Sequence, residues 1–219
     1  MMRTVAYIPI KFNSQRVPGK NIKAFSDGTP LMHFIQKTLL NVAEIDDIYC
    51  SSEDVKEYLL DGVKWLKRDP KFDLDNASPN ELCRSFCELI NADIYVASHA
   101  TSPFTAPESI SACIEKVSSG VYDSAILGKE MREFLYADNK PFNFSLDNIP
   151  RTQDLEPIYE EVNGAYVFSR EVMLKYNSRT GGNVYIHPIG KIEGTDIDYP
   201  EDFAIADAVY THILKGKTK

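Results

Sequence analysis

Hydrophobic positions along the chain form short dense runs separated by longer amphipathic stretches. The dense runs are rich in β-branched and aromatic residues and predict six strands, at 4–10, 45–52, 62–68, 93–98, 123–129 and 163–169. The amphipathic stretches have apolar residues at helical spacing and predict five helices, at 30–42, 53–60, 78–90, 107–117 and 200–214. Strands and helices that alternate in this way predict an α/β fold with a mostly parallel sheet and helices on both faces.

Residues 130–160 break this alternation. The segment is rich in aromatic residues, Asn and Pro, and it has no helical period. It therefore predicts a β-ribbon or arm that projects from the domain, with a turn at 138–141. Aromatic side chains exposed on such an arm would form a surface for a partner. Because the sequence has no repeat and no linker, we predict one domain over 1–219, with 130–160 as an inserted arm.

Charge and hydropathy limit the classes of partner. The 219 residues include 32 acidic and 24 basic ones, a net charge of −8. A nucleic-acid-binding protein needs a basic face, so this balance argues against that class. No apolar run approaches the ~20 residues that span a bilayer, and the first residues lack the pattern of a leader peptide. We therefore expect a cytoplasmic protein that binds neither nucleic acid nor membrane, with its four cysteines reduced.

The sequence KFNSQRVPGKN, at 11–21, directly follows the first predicted strand. It offers three cations and several amide or hydroxyl donors, namely Lys11, Arg16 and Lys20 with Asn13 and Ser14. Ligands of parallel sheets bind at the carboxyl ends of the strands, so this loop is placed to bind a triphosphate through charge-assisted hydrogen bonds. It is not a Walker A loop, because Ser14 and Asn21 depart from that pattern. The alternative interpretation is a solvated basic loop.

A second informative sequence is GTDIDYPED, at 194–202. Asp196 and Asp198 are two residues apart, so in extended backbone their carboxylates point the same way. Two such oxygen ligands suit Mg²⁺, which also binds substrate phosphates and water. The alternative is an acidic turn that caps the helix beginning at Pro200, with Glu201 and Asp202 favourable at its positive end.

Both sequences resemble motifs of the acylneuraminate (CMP-sialic acid) cytidylyltransferase family. IPIKFNSQRVPGKN is similar to the family's signature I-P-A-R-x-G-S-K-R-x-P-x-K-N. Seven further motifs follow in the family's order: SSED (51–54), RDP (68–70), NAS (76–78), ATSPF (100–104), PRTQDL (150–155), NGAYVF (163–168) and DIDYPEDF (196–203). The resemblance covers nearly the whole chain. It implies a Rossmann-like nucleotidyltransferase domain, CTP as a substrate, Mg²⁺ as a cofactor and a homodimer joined through the arm.

The resemblance also implies a role for individual residues. The CTP phosphates would be held by Lys11, Asn13, Ser14, Arg16 and Lys20. The rest of the nucleotide would be placed by Asn21, Arg68, Asn76 and Ser78. Mg²⁺ would be bound by Asp196 and Asp198, and the acceptor by His99, Thr101, Arg151, Gln153 and Asn163. Arg16, Lys20 and Asp198 would carry catalysis.

The chain departs from the family pattern at several of these motif positions. Lys11, Asn13 and Gln15 stand where the family has Arg, Gly and Lys. His99 and Thr105 stand where the family has Gln and Arg, in the part of the site expected to face the acceptor. The nucleotide half of the site is therefore matched more closely than the acceptor half.

The reaction that the resemblance implies is transfer of CMP from CTP to an acidic acceptor, with release of pyrophosphate. The default acceptor is a nonulosonic sugar acid, such as a sialic, legionaminic or pseudaminic acid, used in surface glycan synthesis. Three alternatives stay open: the same chemistry on a shorter keto-deoxy sugar acid or on a non-sugar acid or phosphate, a nucleotide-binding relative without turnover, and an interaction protein that uses the arm. No residue stands out as a general base; His99 has suitable chemistry, although a lone histidine after a strand is more often structural.

Overall fold

A seven-stranded sheet organises the chain in a computed structural model that describes residues 2–11, 14–52, 54–74 and 77–215. The strands are β1 (Thr4–Pro9), β2 (Asp47–Ser52), β3 (Val63–Lys67), β4 (Ile94–Ala97), β5 (Ser124–Met131), β6 (Tyr136–Ala137), β7 (Lys140–Pro141), β8 (Ile158–Ser169) and β9 (Val184–Ile189). The α-helices are α1 (Leu31–Leu40), α2 (Pro79–Leu89), α3 (Pro107–Ser118), α4 (Arg170–Tyr176) and α5 (Pro200–Val209), and a π-helical turn (Tyr210–Leu214) extends the last of them. None of the helices in the described ranges is long and apolar enough to cross a bilayer.

The main sheet has the order β3-β2-β1-β4-β8-β5-β9. The first four strands run parallel, and β9 is parallel to β5. Only β8 is antiparallel to its neighbours β4 and β5 among the strands of this sheet that the structure describes. The predicted α/β fold with a mostly parallel sheet is therefore confirmed.

Helices cover both faces of the sheet because the strands are apolar on both sides. In β1, Ala6 and Ile8 pack into a cluster with α1 and α3, whereas Val5 and Tyr7 pack into a second cluster with α2 and α4. A third, smaller cluster seats α5 through Phe203 and Ala206 against Phe25, Leu31 and Ile197. This last cluster matters for function, because it fixes the segment just before α5.

The helix predicted at 53–60 is wrong. In the described part of that segment, only residues Lys56–Tyr58 form a single 3₁₀ turn. Gln36 of α1 explains the difference, since its amide nitrogen donates to the Tyr58 carbonyl (3.2 Å) and its oxygen accepts from the Leu60 amide (2.8 Å). These bonds occupy backbone groups that a helix would need. Elsewhere, Ser78 stands at the N-cap of α2 as expected, but its side chain makes no capping hydrogen bond.

The sequence pattern also missed two elements and misplaced one boundary. It gave no prediction for α4 and β9, and β8 begins at Ile158, inside the segment assigned to the arm. The rest of that segment does hold the predicted ribbon, formed by β6 and β7. Its turn lies at Asp138 and Asn139, which have left-handed φ angles of 52° and 61°, a conformation that suits tight hairpins. A role of this ribbon in dimerisation stays a prediction.

Candidate active site

The candidate site lies at the carboxyl edge of the sheet, where β1 meets β4 and the strand order reverses. Two loops meet there, one after β1 (10–20) and one after β4 (98–106). The segment before α5 joins them through a hydrogen bond from the Ile197 amide to the Thr101 carbonyl (2.9 Å). The antiparallel strand β8 reaches the same place, because the His99 amide donates to the Asn163 carbonyl (3.1 Å). Ligands of open α/β sheets bind at such reversal points.

Two of the three predicted phosphate-binding cations converge on one carboxylate. Nη2 of Arg16 donates to Oδ1 of Asp198 (2.8 Å), and Nζ of Lys20 lies 3.6 Å from the same oxygen. Nζ of Lys20 also donates to the Ile197 carbonyl (2.6 Å). Lys20 is only 8% exposed, whereas Arg16 is 51% exposed. The site therefore holds one buried and one accessible cation.

The surroundings shift the pKa values of these two cations in opposite directions. Burial lowers the pKa of Lys20, and the nearby Asp198 and Asp196 charges partly oppose that effect. A hydrogen bond with Tyr199 raises the pKa of Arg16, with a further contribution from Asp198. Arg16 also lies over the Tyr199 ring, 5.1 Å from its centroid.

The remaining residues of the basic loop differ in burial and in the contacts that they make. Asn21 is buried, and its amide nitrogen donates to the Lys11 carbonyl (2.9 Å), so it ties the two ends of the loop together. Lys11 and Ser14 are half-buried at the start of the loop. Gly19 has a left-handed φ of 63°, which allows the sharp turn into Lys20. Asn13 lies outside the described residues.

Asp196 and Asp198 flank a buried residue, as their spacing predicts. The Ile197 side chain packs into the cluster beneath α5, and the two carboxylates point away from it into the cleft. The residue that caps the helix is Asp202. Its Oδ2 accepts from the amides of Asp198 (3.0 Å) and Tyr199 (2.8 Å). Asp202 therefore caps α5, and the side chains of Asp196 and Asp198 are not used for that purpose.

Asp196 has one carboxylate oxygen without a protein partner. Its Oδ2 accepts from Nδ2 of Asn163 (3.1 Å), but its Oδ1 is buried and has no hydrogen-bond partner among the described residues. A buried oxygen of this kind is costly unless a donor or a cation satisfies it. Within the described residues, no group of three or more acidic, His or Cys side chains could hold a metal. The carboxylates of Asp196 and Asp198 are oxygen donors of the kind that Mg²⁺ takes together with phosphate and water, and Mg²⁺ binding stays a prediction.

A second polar cluster lies on the other side of Asn163. The Tyr166 hydroxyl is 2.6 Å from Oε1 of Glu161 and 3.1 Å from Oδ1 of Asn163. Arg179 lies over the Tyr166 ring, 3.6 Å from its centroid, and its Nη1 is 3.4 Å from Nε2 of His99. Burial lowers the pKa of His99 to about 3, with further lowering from the charges of Arg179 and Lys20. His99 is therefore neutral at pH 7 and a poor general base.

Arg68 follows β3 and is buried beside an ion-pair partner. It pairs with Asp73, while its Nε is buried without a hydrogen-bond partner among the described residues. The side chain lines a cavity of about 230 Å³ between the carboxyl end of β3 and α2. Ser78, at the start of α2, is half-buried, and Asn76 lies outside the described residues.

Two predicted acceptor residues are not brought into this cleft. Arg151 and Gln153 lie around the 3₁₀ turn that follows the ribbon, and both are exposed. Arg151 donates to both carboxylate oxygens of Asp154 (2.7 and 3.1 Å). Across the ranges that the structure describes, no hydrogen bond or ion pair links either residue to Asp196, Asp198 or their neighbours.

The sequence pattern also missed members of the acceptor-side cluster. From the sequence alone, no role in the site is predicted for Tyr166, Glu161 or Arg179. Arg179 stands in an irregular loop with no motif around it, so only its isolated charge marked it in the sequence. Three-dimensional contact with Tyr166 and His99 is what reveals it.

The sheet and the charged clusters at its carboxyl edge define the class: this is a nucleotidyltransferase domain of Rossmann-like fold. Two solved structures share the fold over nearly all of this chain. A CMP:2-keto-3-deoxy-manno-octonic acid synthetase complexed with CTP has a TM-score of 0.73 at 17% identity and covers 95% of this chain and 98% of its own. The 4-diphosphocytidyl-2C-methyl-D-erythritol synthase from Anaerococcus prevotii has a TM-score of 0.67 at 14% identity, with 96% and 97% covered.

The chain belongs to the cytidylyltransferase family, whose model matches residues 5–181. It is 23% identical to an N-acylneuraminate cytidylyltransferase from Streptococcus agalactiae and 24% identical to N-acylneuraminate cytidylyltransferase A from Danio rerio, each over 92% of this chain. The chain spans about half the length of these two relatives, 52% and 49%. It is also 23% identical to the pseudaminic acid cytidylyltransferase from Campylobacter jejuni, with 95% of this chain and 97% of that protein covered.

Proposed function

We propose that this chain transfers CMP from CTP to a sugar acid and releases pyrophosphate. The observation that carries the proposal is the meeting of Arg16 and Lys20 with Asp196 and Asp198 at the reversal point of the sheet. Cations that bind phosphates and carboxylates that bind a metal are the two requirements of nucleotidyl transfer. Membership of the cytidylyltransferase family supports CTP as the nucleotide.

The proposed chemistry is an in-line attack by an acceptor oxygen on the α-phosphorus of CTP. The new bond joins this oxygen to phosphorus, the bond to the pyrophosphate oxygen breaks, and the proton of the acceptor hydroxyl leaves to solvent water. Lys20 and Arg16 bind the leaving pyrophosphate and neutralise its growing charge. Asp196 and Asp198 would hold Mg²⁺, which supplies Lewis-acid stabilisation of the phosphate oxygens when bound. Positioning and charge stabilisation then supply most of the acceleration, as in other phosphoryl-type transfers.

The ion pair between Arg16 and Asp198 has a simple role in this scheme. In the free chain each side chain satisfies the charge of the other. With CTP and a cation bound, Arg16 would contact the phosphates and Asp198 would hold the metal. Each side chain would then still have a partner of opposite charge, which limits the cost of breaking the ion pair.

Arg68 is proposed to contact the nucleoside. Its buried, unpartnered Nε and the adjacent cavity support a polar contact with the base or ribose there. A contact of this kind would be fixed in position, because the Asp73 pair holds the guanidinium from the other side.

The acceptor class is proposed from the relatives. The names of two curated relatives specify N-acylneuraminate and pseudaminic acid, both nine-carbon sugar acids, and a structural neighbour is a synthetase for an eight-carbon keto-deoxy acid. A nonulosonic acid is the first choice, because the sequence similarity rests on those relatives. Such a product would feed the synthesis of a surface glycan.

A homodimer is proposed through the ribbon and the residues that follow it. Phe142, Leu146 and Ile149 are each about 60% exposed in this segment. Large apolar side chains grouped on one projecting segment are typical of a protein interface.

The test is pyrophosphate release from CTP and Mg²⁺ with a panel of acids. The panel contains N-acetylneuraminic, legionaminic, pseudaminic and 2-keto-3-deoxy-manno-octonic acids, with ATP, GTP and UTP as controls. CTP-specific release with one acid would establish the reaction and its acceptor. If CTP stabilises the fold but no acid gives release, a nucleotide-binding relative without turnover replaces the proposal. If CTP neither binds nor reacts, the chain is not a CTP enzyme.

A further inference from the structure

Arg179 is an arginine held in place largely by uncharged groups. Its Cζ lies over the Tyr166 ring, 3.6 Å from the centroid, and Nη1 donates to the neutral ring of His99 at 3.4 Å. The side chain is 16% exposed, so it is mostly but not fully buried. Stacking on a tyrosine and a bond to a neutral histidine orient the guanidinium without cancelling its charge.

The acidic neighbour of Arg179 is Glu161, and the interaction between the two is weak. Oε1 of Glu161 lies 4.0 Å from Nη2 of Arg179, beyond hydrogen-bond distance. The same oxygen is 2.6 Å from the Tyr166 hydroxyl, and the Glu161 side chain is about half exposed. Because Glu161 is half exposed and lies beyond hydrogen-bond distance, it neutralises Arg179 only weakly, and a ligand carboxylate has an oriented cation to bind.

Arg179 lies at the opposite end of the cleft from the phosphate-binding cations. Asn163 links the two ends, because it contacts Asp196 through Nδ2 and the Tyr166 hydroxyl through Oδ1. His99 lies between the ends, and the charges of both Arg179 and Lys20 lower its pKa. The cleft thus has cationic side chains at both ends, Arg179 at one and Arg16 with Lys20 at the other, with the Asp196 carboxylate between them.

We propose that Arg179 binds the carboxylate of the acceptor acid and so selects acids over neutral sugars. The inference rests on the proposed function, since it names how that site takes its second substrate. A planar guanidinium matches a carboxylate in a two-bond arrangement. The acceptor then lies across Asn163, with its carboxylate at Arg179 and its reacting oxygen toward Asp196. Thr105, which stands at the family's arginine position, is unable to do this because it is buried and its hydroxyl donates to the Ser102 carbonyl.

The experiment compares acids with their methyl esters on four proteins. Wild type, R179Q, R151Q and R84Q are each loaded with Mg²⁺ and α,β-methylene CTP, which binds but releases no pyrophosphate. N-acetylneuraminic, pseudaminic and 2-keto-3-deoxy-manno-octonic acids and their methyl esters are then titrated by calorimetry. R151Q tests the exposed arginine that the motif suggests, and R84Q is a matched control, because exposed Arg84 donates to Asn177 next to the Arg179 loop.

The proposal predicts a specific pattern of acid and ester affinities. Wild type, R151Q and R84Q bind at least one acid about tenfold to a hundredfold more tightly than its ester, the range expected for a charge-assisted pair. R179Q binds that acid and its ester equally, and the rise in melting temperature caused by the CTP analogue is unchanged. R179K, which keeps the charge but not the planar fork, lies between them.

Several results would overturn the role of Arg179. These are unchanged acid affinity in R179Q, equal binding of acid and ester by wild type, loss of acid binding in R151Q instead, or no acid binding by wild type. Pyrophosphate release by wild type is measured in parallel. Release together with unchanged acid binding in R179Q leaves the proposed function standing and removes Arg179. Ester discrimination that depends on Arg179, without release from CTP, retains the binding role and removes the function.

Discussion

Arg16 and Asp198 form an ion pair of 2.8 Å although 182 positions separate them in the chain. Arg16 belongs to the loop after the first strand, and Asp198 belongs to the segment before the last α-helix described. The charge of each side chain has the same sign as the ligand group proposed for the other, so each occupies the place of that ligand. The pair therefore marks the point where the nucleotide phosphates and the metal would meet.

Asp198→Asn is expected to reduce turnover by about 100-fold or more while CTP still stabilises the fold. The amide keeps the size of the side chain but binds a divalent cation poorly, and Asp198 is 40% exposed, so folding should be little affected. Steady-state pyrophosphate release and thermal shift measure the two effects. Glu201→Gln, an exposed acidic residue in the first turn of α5, is the control and should keep full turnover. Near-normal turnover in D198N would remove Asp198 from the metal site.

Lys20→Gln is expected to lower kcat/KM for CTP by about 10²–10³-fold, because it removes the buried cation proposed to bind the leaving pyrophosphate. The loss should appear with every acceptor. Lys23→Gln is the comparison, since Lys23 is exposed and stacks on Phe203 outside the cleft. Equal losses in the two variants would indicate a general charge effect and not a specific contact of Lys20.

Gly164→Ala is expected to destabilise the fold by about 1–3 kcal/mol, because its new methyl group has no space. A Cβ at this position would lie 2.4 Å from Oγ1 of Thr105 and 2.9 Å from Cδ1 of Leu127. Gly190→Ala is the control, since nothing lies within 4 Å of a Cβ there. Denaturant unfolding measures both.

The source of the strain at Gly164 is tested by a double variant. Thr105→Ala removes the nearest contact, so the loss of stability in G164A/T105A should be smaller than the sum of the two single losses. Additive losses would show that the clash with Thr105 is not the cause.

Asp27 makes stability depend on pH in the acid range. Burial raises the pKa of Asp27, but hydrogen bonds from Thr29, Lys215 and Tyr210 outweigh it and lower the pKa to about 2. A carboxylate with a lowered pKa stabilises the fold above its unfolded value near 4, and this stability is lost as pH falls toward 2. Asp27→Asn should therefore unfold more easily at pH 7 and show a flatter profile between pH 4 and 2. Asp61→Asn, at an exposed position, serves as control, and an unchanged profile in D27N would contradict the assignment.

The proposed dimer predicts that a charge in the apolar ribbon segment dissociates it. Phe142→Asp combined with Leu146→Asp should shift the sedimenting species from dimer to monomer, because burying two carboxylates in an interface is unfavourable. Val121→Asp changes an equally exposed apolar residue outside the segment and should leave the assembly intact. A wild-type chain that sediments as a monomer would remove the proposed interface.

The sequence was sufficient for elements whose hydrophobic pattern decides their structure. Dense apolar runs correctly predicted β1, β2, β4 and β5, which lie inside the sheet, and alternation predicted the edge strand β3, whose Lys64 and Lys67 are exposed. The pattern failed at β9, an edge strand interrupted by Pro188 and only partly buried, and at α4, which has seven residues and so shows too few turns for a period. It also failed at 53–60, where Gln36 from another element decides the backbone.

In the candidate site, too, some features could be predicted from the sequence and others could not. The spacing of Asp196 and Asp198 predicted that both face one way, but their use as ligands or as a helix cap was open. The answer lies with Asp202, whose hydrogen bonds to the backbone become visible only in three dimensions. Arg179 and Tyr166 were not predictable as partners, since their contact depends on how the loop after α4 folds back over β8.

The antiparallel course of β8 and the late position of Asp198 have a consequence for synthesis on the ribosome. Domains begin to fold from the amino terminus as the chain emerges. The first four strands and the cationic loop leave the ribosome early, while Asn163, Asp196 and Asp198 are still to be translated. During that interval Arg16 and Lys20 have not yet met Asp198. The proposed CTP site would therefore be complete only after the segment before α5 has been made, so CTP would stabilise the finished domain and not the growing chain.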